Sequence, residues 1–371
     1  SEKVNLGVGV YYDDNGRVPL LKAVREAEKA RVEQAAPRAY LPIDGLAPYN
    51  KGAQTLLLGE NNELAASGRA LTVQTLGGTG ALKIGADFLK KIHPNAKVAI
   101  SNPSWANHKG IFEGAGFQVD QYPYYNPETH GFDFEGMLGA LKAMPKGTIV
   151  VLHACCHNPT GVDPSAEQWK QIAEAVKEAG LVPFLDIAYQ GFGDGLEEDA
   201  YVVRLFAGLD ISVLISSSFS KSFSLYGERV GALTLLCASK DESARVLSQL
   251  KIVVRTNYSN PPTHGGTVVS TVLNTPELYQ LWVDELGGMR NRIRDMRTQL
   301  VQKLKEHGVT QNFDFVLAQR GMFSYSGLSK EQVEALRADH GVYAVGSGRI
   351  CVAALNSGNI DHVAKSIAKV L

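Results

Sequence analysis

Nowhere does this sequence reach the roughly 18 consecutive apolar residues that a membrane-spanning helix needs. Its opening, Ser1-Glu2-Lys3-Val4-Asn5, lacks the apolar stretch of a secretory signal. Cysteine is scarce: Cys155, Cys156, Cys237 and Cys351 are the four in 371 residues. Neighbours such as Cys155 and Cys156 bridge to one another only with strain, so the expectation is a reduced, cytoplasmic setting rather than a disulfide framework. Charge of one sign is missing too. The 37 Lys and Arg against 38 Asp and Glu leave a net charge of −1, without the basic footprint of a nucleic-acid-binding face. There is no CxxC pair, and His153 and His157 beside the two cysteines fit a buried strand end as well as a ligand set, so no metal is expected. Repeats, low-complexity tracts and Gly/Ser linkers are absent, which excludes a flexible hinge between domains.

What remains is the composition of a folded enzyme, with 44% hydrophobic and 20% charged residues. The length favours two domains, or one large domain with a satellite. Val98–Ser101, Thr148–Ala154, Leu181–Asp186, Val213–Ser217 and Val230–Cys237 are near-continuous apolar runs, the pattern of strands buried on both faces. Between them lie helices. Leu82, Gly85, Ala86 and Leu89 share one face opposite Lys83, Asp87 and Lys90, which predicts a helix starting just after Gly80. Asp163-Pro164 ahead of Trp169, Ile172, Ala173 and Val176 predicts another, capped by Asp163 and closed by Gly180. Strands alternating with helices imply a mostly parallel α/β sheet.

The last quarter reads differently. Met289, Ile293, Met296, Leu300 and Leu304 stripe a long helix ending near Gly308, and Arg290, Arg292, Arg294 and Arg297 around it read as a solvated basic face. Strand candidates Met322–Ser326, Val342–Val345 and Ile350–Leu355, with helices over Lys330–Asp339 and Asp361–Leu371, predict a small α+β unit.

Three places carry chemistry. Gly77-Gly78-Thr79-Gly80 heads a helix, where free N–H groups and the dipole favour a phosphate. Lys83 stands where GxGxxG needs its third glycine, and no Gly-Lys-Ser/Thr follows, so neither familiar nucleotide loop is present; read alone, the segment is equally a tight turn. Asp186 ends an apolar strand at the sheet edge where ligands bind. Its buried carboxylate needs a partner: a pyridinium nitrogen, a helix end or a salt bridge would each serve. Lys221 follows a strand within Ser216-Ser-Ser-Phe-Ser-Lys-Ser222. A lone loop lysine is ordinarily solvated, but Ser218, Ser220 and Arg229 nearby can hold a phosphate, and a neighbouring cation lowers a lysine's pKa as imine chemistry requires.

In this order the pieces resemble fold-type I pyridoxal-phosphate enzymes, specifically the aspartate/aromatic aminotransferase family. The resemblance spans essentially the whole chain. It rests on Tyr40-Leu-Pro-Ile-Asp-Gly45, Gly77–Lys83, Ser101-Asn-Pro-Ser-Trp105, His157-Asn-Pro-Thr-Gly161, Asp186-Ile-Ala-Tyr-Gln-Gly-Phe192, Ser218–Gly231, Tyr258-Ser-Asn-Pro-Pro262 and Gly348-Arg-Ile-Cys-Val352. It implies a large domain over residues 18–288, with a mostly parallel seven-stranded sheet sandwiched by helices, and a small α+β domain from residues 1–17 and 289–371. It implies that Lys221 holds pyridoxal phosphate as a Schiff base and moves the substrate proton, with Asp186 on the ring nitrogen, Asn158 and Tyr189 on the phenolic oxygen and Trp105 stacked on the ring. Gly78, Thr79, Ser218, Ser220 and Arg229 would cradle the phosphate, with Tyr40 reaching in from a second subunit of a homodimer. Arg349 would clamp the substrate α-carboxylate, a task suited to a guanidinium. Arg255 of the partner would take a distal carboxylate, turning outward for aromatic substrates, and Gly9 lies in a segment that moves on closure.

The expected reaction is ping-pong transfer of amino groups from aromatic and dicarboxylic amino acids to 2-oxo acids such as 2-oxoglutarate. Ser220-Lys-Ser-Phe-Ser-Leu-Tyr-Gly227 and Thr75-Leu-Gly-Gly78 are closer to bacterial aromatic-amino-acid enzymes. The alternatives are an aspartate aminotransferase with little aromatic activity, another pyridoxal-phosphate reaction such as β-decarboxylation, and a non-catalytic amino-acid-binding relative. Two features depart from the family. Gly77 replaces a common serine, and relatives carry an N-terminal arm ahead of the segment where this sequence opens, so the dimer contact is expected to differ.

Overall fold

The computed structural model describes residues 2–371. Its centre is a seven-stranded sheet with the spatial order Ala70–Leu76, Val230–Leu236, Val213–Ser218, Val182–Ile187, Ile149–His153, Val98–Asn102, Val119–Pro123. Val230–Leu236 runs antiparallel to both neighbours, and the other pairings are parallel. The apolar runs are continuous because both faces are covered. Val150, Leu152, Leu185 and Ile187 enter one core. Val151, Phe184, Leu214 and Leu233 enter the other.

The five apolar runs form strands as expected. The two outer strands, Ala70–Leu76 and Val119–Pro123, escape the apolar-run pattern, since one carries Thr72 and Gln74 and the other buries little beyond Tyr122. The helix placed after Gly80 begins earlier, at Gly77, and runs to Ile92. It covers the second core with Leu82, Ile84, Phe88 and Leu89. Burying each such side chain stabilises the fold by roughly 1.5–3 kcal/mol.

The cap ascribed to Asp163 belongs to Ser165. Helix Ala166–Glu178 starts with a Ser165/Gln168 capping box. The Asp163 carboxylate instead accepts the N–H groups of Cys156 and His157 at 2.8 and 2.9 Å. It thereby pins the turn that leads to Asn158.

The arginines of the last quarter are not a solvated face. Helix Pro276–Glu306 is 31 residues long. Arg297 on this helix is 3% exposed. Arg290 donates to Gly191 O, Arg292 to Tyr11 Oη and Leu355 O, and Arg294 to Gly193 O. Only Arg294 among the four is exposed. The helix is flanked on several sides by loops whose carbonyls need donors, and arginine forks supply them.

Phe323–Tyr325 pairs antiparallel with Arg349–Cys351, and Val4–Asn5 pairs parallel with Val342–Tyr343. The latter pairing brings the beginning and end of the chain together. The strand expected over Ile350–Leu355 is cut short by a 3-10 turn at Val352–Ala354. No described helix is long and apolar enough to cross a membrane.

Candidate active site

Sheet direction decides where side chains meet. Ala70–Leu76, Val98–Asn102, Ile149–His153, Val182–Ile187 and Val213–Ser218 all end at one edge, and antiparallel Val230–Leu236 begins there. The residues following each strand end therefore share one rim, which encloses a cavity of about 340 Å³. Twelve of the fourteen residues singled out in the sequence line it. Tyr40 and Arg255 do not: Tyr40 is 90% exposed and Arg255 is exposed on helix Lys240–Tyr258.

At one pole lies an anion cradle. Gly78 and Thr79 sit in the first turn of helix Gly77–Ile92, where backbone N–H groups have no intrahelical partner. Ser218, Ser220 and Arg229 line the same cavity, and a Cβ on Gly78 would lie 3.2 Å from Ser218 Cβ. Two glycines bring the backbone close here. Gly77 has φ +67°, and a Cβ on it would sit 2.7 Å from Arg229 Nη2. A Cβ on Gly231 would fall 2.3 Å from the Gly77 carbonyl carbon, so no larger residue lets the strand pass the cradle.

At the other pole is Asp186, on the middle strand and 8% exposed. His108 Nε2 lies 2.7 Å from its Oδ2. Burial alone would raise the Asp186 pKa. The hydrogen bond and charge of His108, aided by His153 and Lys221, outweigh it and hold the carboxyl below its usual range. Ser104 Oγ continues the chain, 2.9 Å from His108 Nδ1 and 3.2 Å from His153 Nε2. Burial pushes His153 down to about 3.

Lys221 reaches the cavity between these poles, with Nζ 5.0 Å from the Tyr189 ring centroid. Burial lowers its pKa, Asp186 opposes that shift, and Arg229 adds to it. A lysine that loses its proton readily is a nucleophile. Tyr189 is buried and its phenol is pushed up by desolvation, which keeps it protonated. Trp105 caps helix Ala106–Gly114 and meets His108 edge-on at 5.2 Å.

Arg349 lines the cavity and is held there by neutral acceptors. Its Nη1 donates to Asn158 Oδ1 at 3.2 Å and its Nη2 to Gly7 O at 3.1 Å, while Nε is buried without a partner. The guanidinium carbon lies 4.3 Å from the Phe323 ring centroid. Gly9 lies beyond that ring, where a Cβ would come 3.9 Å from Phe323 Cζ.

Sequence reasoning missed His108, Tyr226 and Phe323. His108 sits one helical turn beyond Trp105, and nothing local ties it to a carboxylate 78 residues away. Tyr226 lines the cavity and its Oη accepts the Tyr11 N–H at 2.8 Å, tying the segment near Gly9 to the Lys221 loop. Cys155 also lines the cavity, and the four cysteines are free and buried. Cys155, Cys156 and Asp199 form a group with possible metal-ligand atoms. The Asp199 carboxylate is taken up by the N–H groups of Gly191, Gly193 and Asp194.

A family model, Aminotransferase class I and II, matches residues 1–367. The chain is 62% identical to an aspartate aminotransferase of Pseudomonas aeruginosa over 369 residues, covering 100% of this chain and 93% of that protein. It is 50% identical to an aromatic-amino-acid aminotransferase of Escherichia coli K12, covering 100% and 94%. A crystal structure of an aromatic-amino-acid aminotransferase from Burkholderia pseudomallei, covalently bound to pyridoxal phosphate, superposes with a TM-score of 0.99 at 64% identity, covering 100% of this chain and 92% of that one.

Proposed function

The chain belongs to the class I and II aminotransferases, and from that membership we propose that it carries pyridoxal phosphate on Lys221 and moves amino groups from aromatic and dicarboxylic amino acids to 2-oxo acids such as 2-oxoglutarate. One observation carries the reading: a desolvated amine, a carboxylate held ionised by a histidine, and a Gly/Ser/Arg anion cradle share one cavity. The donor set fits the cofactor, since the cradle suits a dianionic phosphate and Asp186 suits a protonated ring nitrogen. When bound, pyridoxal phosphate supplies an aldehyde that captures an amine and a ring that accepts electrons from the substrate α-carbon.

The chain's own groups do the rest. Asp186, kept charged by His108, holds a proton at the ring nitrogen. Lys221 Nζ would hold the cofactor's aldehyde carbon, and its desolvated amine is placed to move a proton from the substrate α-carbon. Asn158 and the protonated Tyr189 hydroxyl hold the phenolic oxygen, and Trp105 covers the ring face. Arg349, which lines the cavity with no carboxylate of the described residues paired to it, would take the α-carboxylate and so fix the substrate's position relative to Lys221. Segment 6–11, carrying Gly9, closes the mouth.

Tyr40 and Arg255 complete the site from a second copy. Their exposure, outside the cavity of their own chain, supports a homodimer with shared sites. In this reading residues 18–288 form the large cofactor-binding domain, residues 1–17 and 289–371 form a small domain, and the protein is cytoplasmic.

The test is spectroscopic and kinetic. The purified protein should be yellow, and tyrosine or glutamate should bleach the visible band; an unchanged spectrum would point to a binding protein. Rates for phenylalanine, tyrosine, aspartate and leucine with 2-oxoglutarate then set the preference. The 62% identical relative is named for aspartate. A phenylalanine rate far below that for aspartate would accordingly favour an aspartate enzyme with little aromatic activity.

A further inference from the structure

We infer that Arg297, which lies outside the active-site cavity, is a positioning residue that fixes Phe323 beneath the Arg349 guanidinium and thereby sets how tightly a substrate carboxylate is held. The inference rests on the proposed role of Arg349 and adds a determinant to it.

Arg297 is 3% exposed and forms no ion pair among the described residues. Its acceptors are neutral: Gly321 O at 2.7 Å, Phe323 O at 2.8 Å, Val316 O at 3.3 Å and the Ser324 hydroxyl. A buried cation whose contacts are all neutral is costly even with the Asp163 carboxylate acting on it from a distance, and an apolar side chain of similar volume would fill the space at less cost. What an apolar side chain lacks is the planar fork. Donors in fixed directions hold the backbone of residues 321–324 in one place.

That backbone supports the carboxylate site. The Phe323 ring faces Arg349 at 4.3 Å and meets Tyr189 edge-on at 5.8 Å. Its strand pairs Phe323 with Cys351 and Tyr325 with Arg349. The loop carrying Asn158 presses on the same carbonyl, since a Cβ on Gly161 would lie 2.6 Å from Phe323 O. Releasing the Phe323 carbonyl from Arg297 therefore loosens the ring below Arg349 and the loop beside it together. Arg349 is steered by this platform and by neutral acceptors, with no carboxylate of the protein to hold it.

The experiment uses the holoenzyme with Arg297→Met, Arg297→Lys, Ser324→Ala and Arg349→Lys. 3-Phenylpropionate, an unreactive carboxylate, is titrated as a competitive inhibitor and by its effect on the visible band; cofactor affinity, thermal midpoint, KM and kcat are read in parallel. Arg297→Met should weaken 3-phenylpropionate about tenfold and raise KM by a similar factor, the size of one coupled contact. Cofactor affinity should stay within about twofold, and kcat should fall less than KM rises. Arg297→Lys should recover part of the loss. Ser324→Ala, which deletes one acceptor, should weaken binding by about threefold and decides the matter if Arg297→Met does not fold. Unchanged affinity in Arg297→Met, or in Ser324→Ala where the former cannot be purified, overturns the role of Arg297, as does a parallel loss of cofactor affinity. Unchanged affinity in Arg349→Lys overturns the carboxylate assignment itself.

Discussion

His108 Nε2 stands 2.7 Å from Asp186 Oδ2, and this contact keeps a buried carboxyl ionised in the middle of the sheet. Without it, burial is the largest influence left on Asp186 and pushes its pKa up. His108→Leu should therefore shift the acid limb of the kcat/KM profile to higher pH by about one unit, so that rates on the acid side of the parent's limb fall roughly tenfold while the rate at neutral pH changes far less. A profile with the parent's acid limb would show that His108 does not control the charge of Asp186.

His153 gives a second pH dependence, of stability. Burial holds its pKa at about 3, below the ordinary 6.5. A base depressed in the folded state contributes stability that is complete above 6.5 and is lost as pH falls toward 3, because the unfolded chain takes up the proton first. By pH 5 the loss amounts to about 2 kcal/mol. Urea unfolding of His153→Gln should show a flatter decline between pH 7.5 and 5 than the parent, whereas equal slopes would exclude His153 as the source.

Gly231 tests the cradle. Adding a methyl group there sets it 2.3 Å from the Gly77 backbone, and backbone cannot yield as a side-chain tip can. Gly231→Ala should lose about 2 kcal/mol of stability without cofactor, and its phosphate-binding turn should be displaced. Equilibrium dialysis should show at least a tenfold weaker hold on pyridoxal phosphate, about one lost charge-assisted contact. Parental affinity would mean that the cradle does not depend on this close approach.

Shared sites can be tested by complementation. Lys221→Ala homodimers should be inactive, and Arg255→Ala homodimers should be poor with aspartate. Co-expressed as mixed dimers, the two variants should regain aspartate turnover, because one site then combines an intact Lys221 with Arg255 of the other chain. Failure to regain it would mean that Arg255 serves its own chain.

Much of the fold was legible because a parallel sheet covered on both faces writes continuous apolar runs, as in Ile149–His153 and Val213–Ser218. Strand Val119–Pro123 was not, since at the sheet edge little of it beyond Tyr122 is buried. The cavity-lining residues Gly78, Trp105, Asn158, Tyr189 and Lys221 were readable from short motifs, each of which follows a strand end. His108 was not, because its partner is supplied by the sheet and not by its neighbours in sequence. Arg292 and Arg297 were misread for a related reason: a helical arginine looks solvated until the loops that it serves are folded over it.

The anchoring amine is the claim on which the others depend. Borohydride reduction of the holoenzyme, followed by proteolysis and mass spectrometry, should place a pyridoxyl group on the peptide containing Lys221 and on no other lysine. A reduced adduct at a different lysine, or none in a protein that retains the cofactor, would contradict the account.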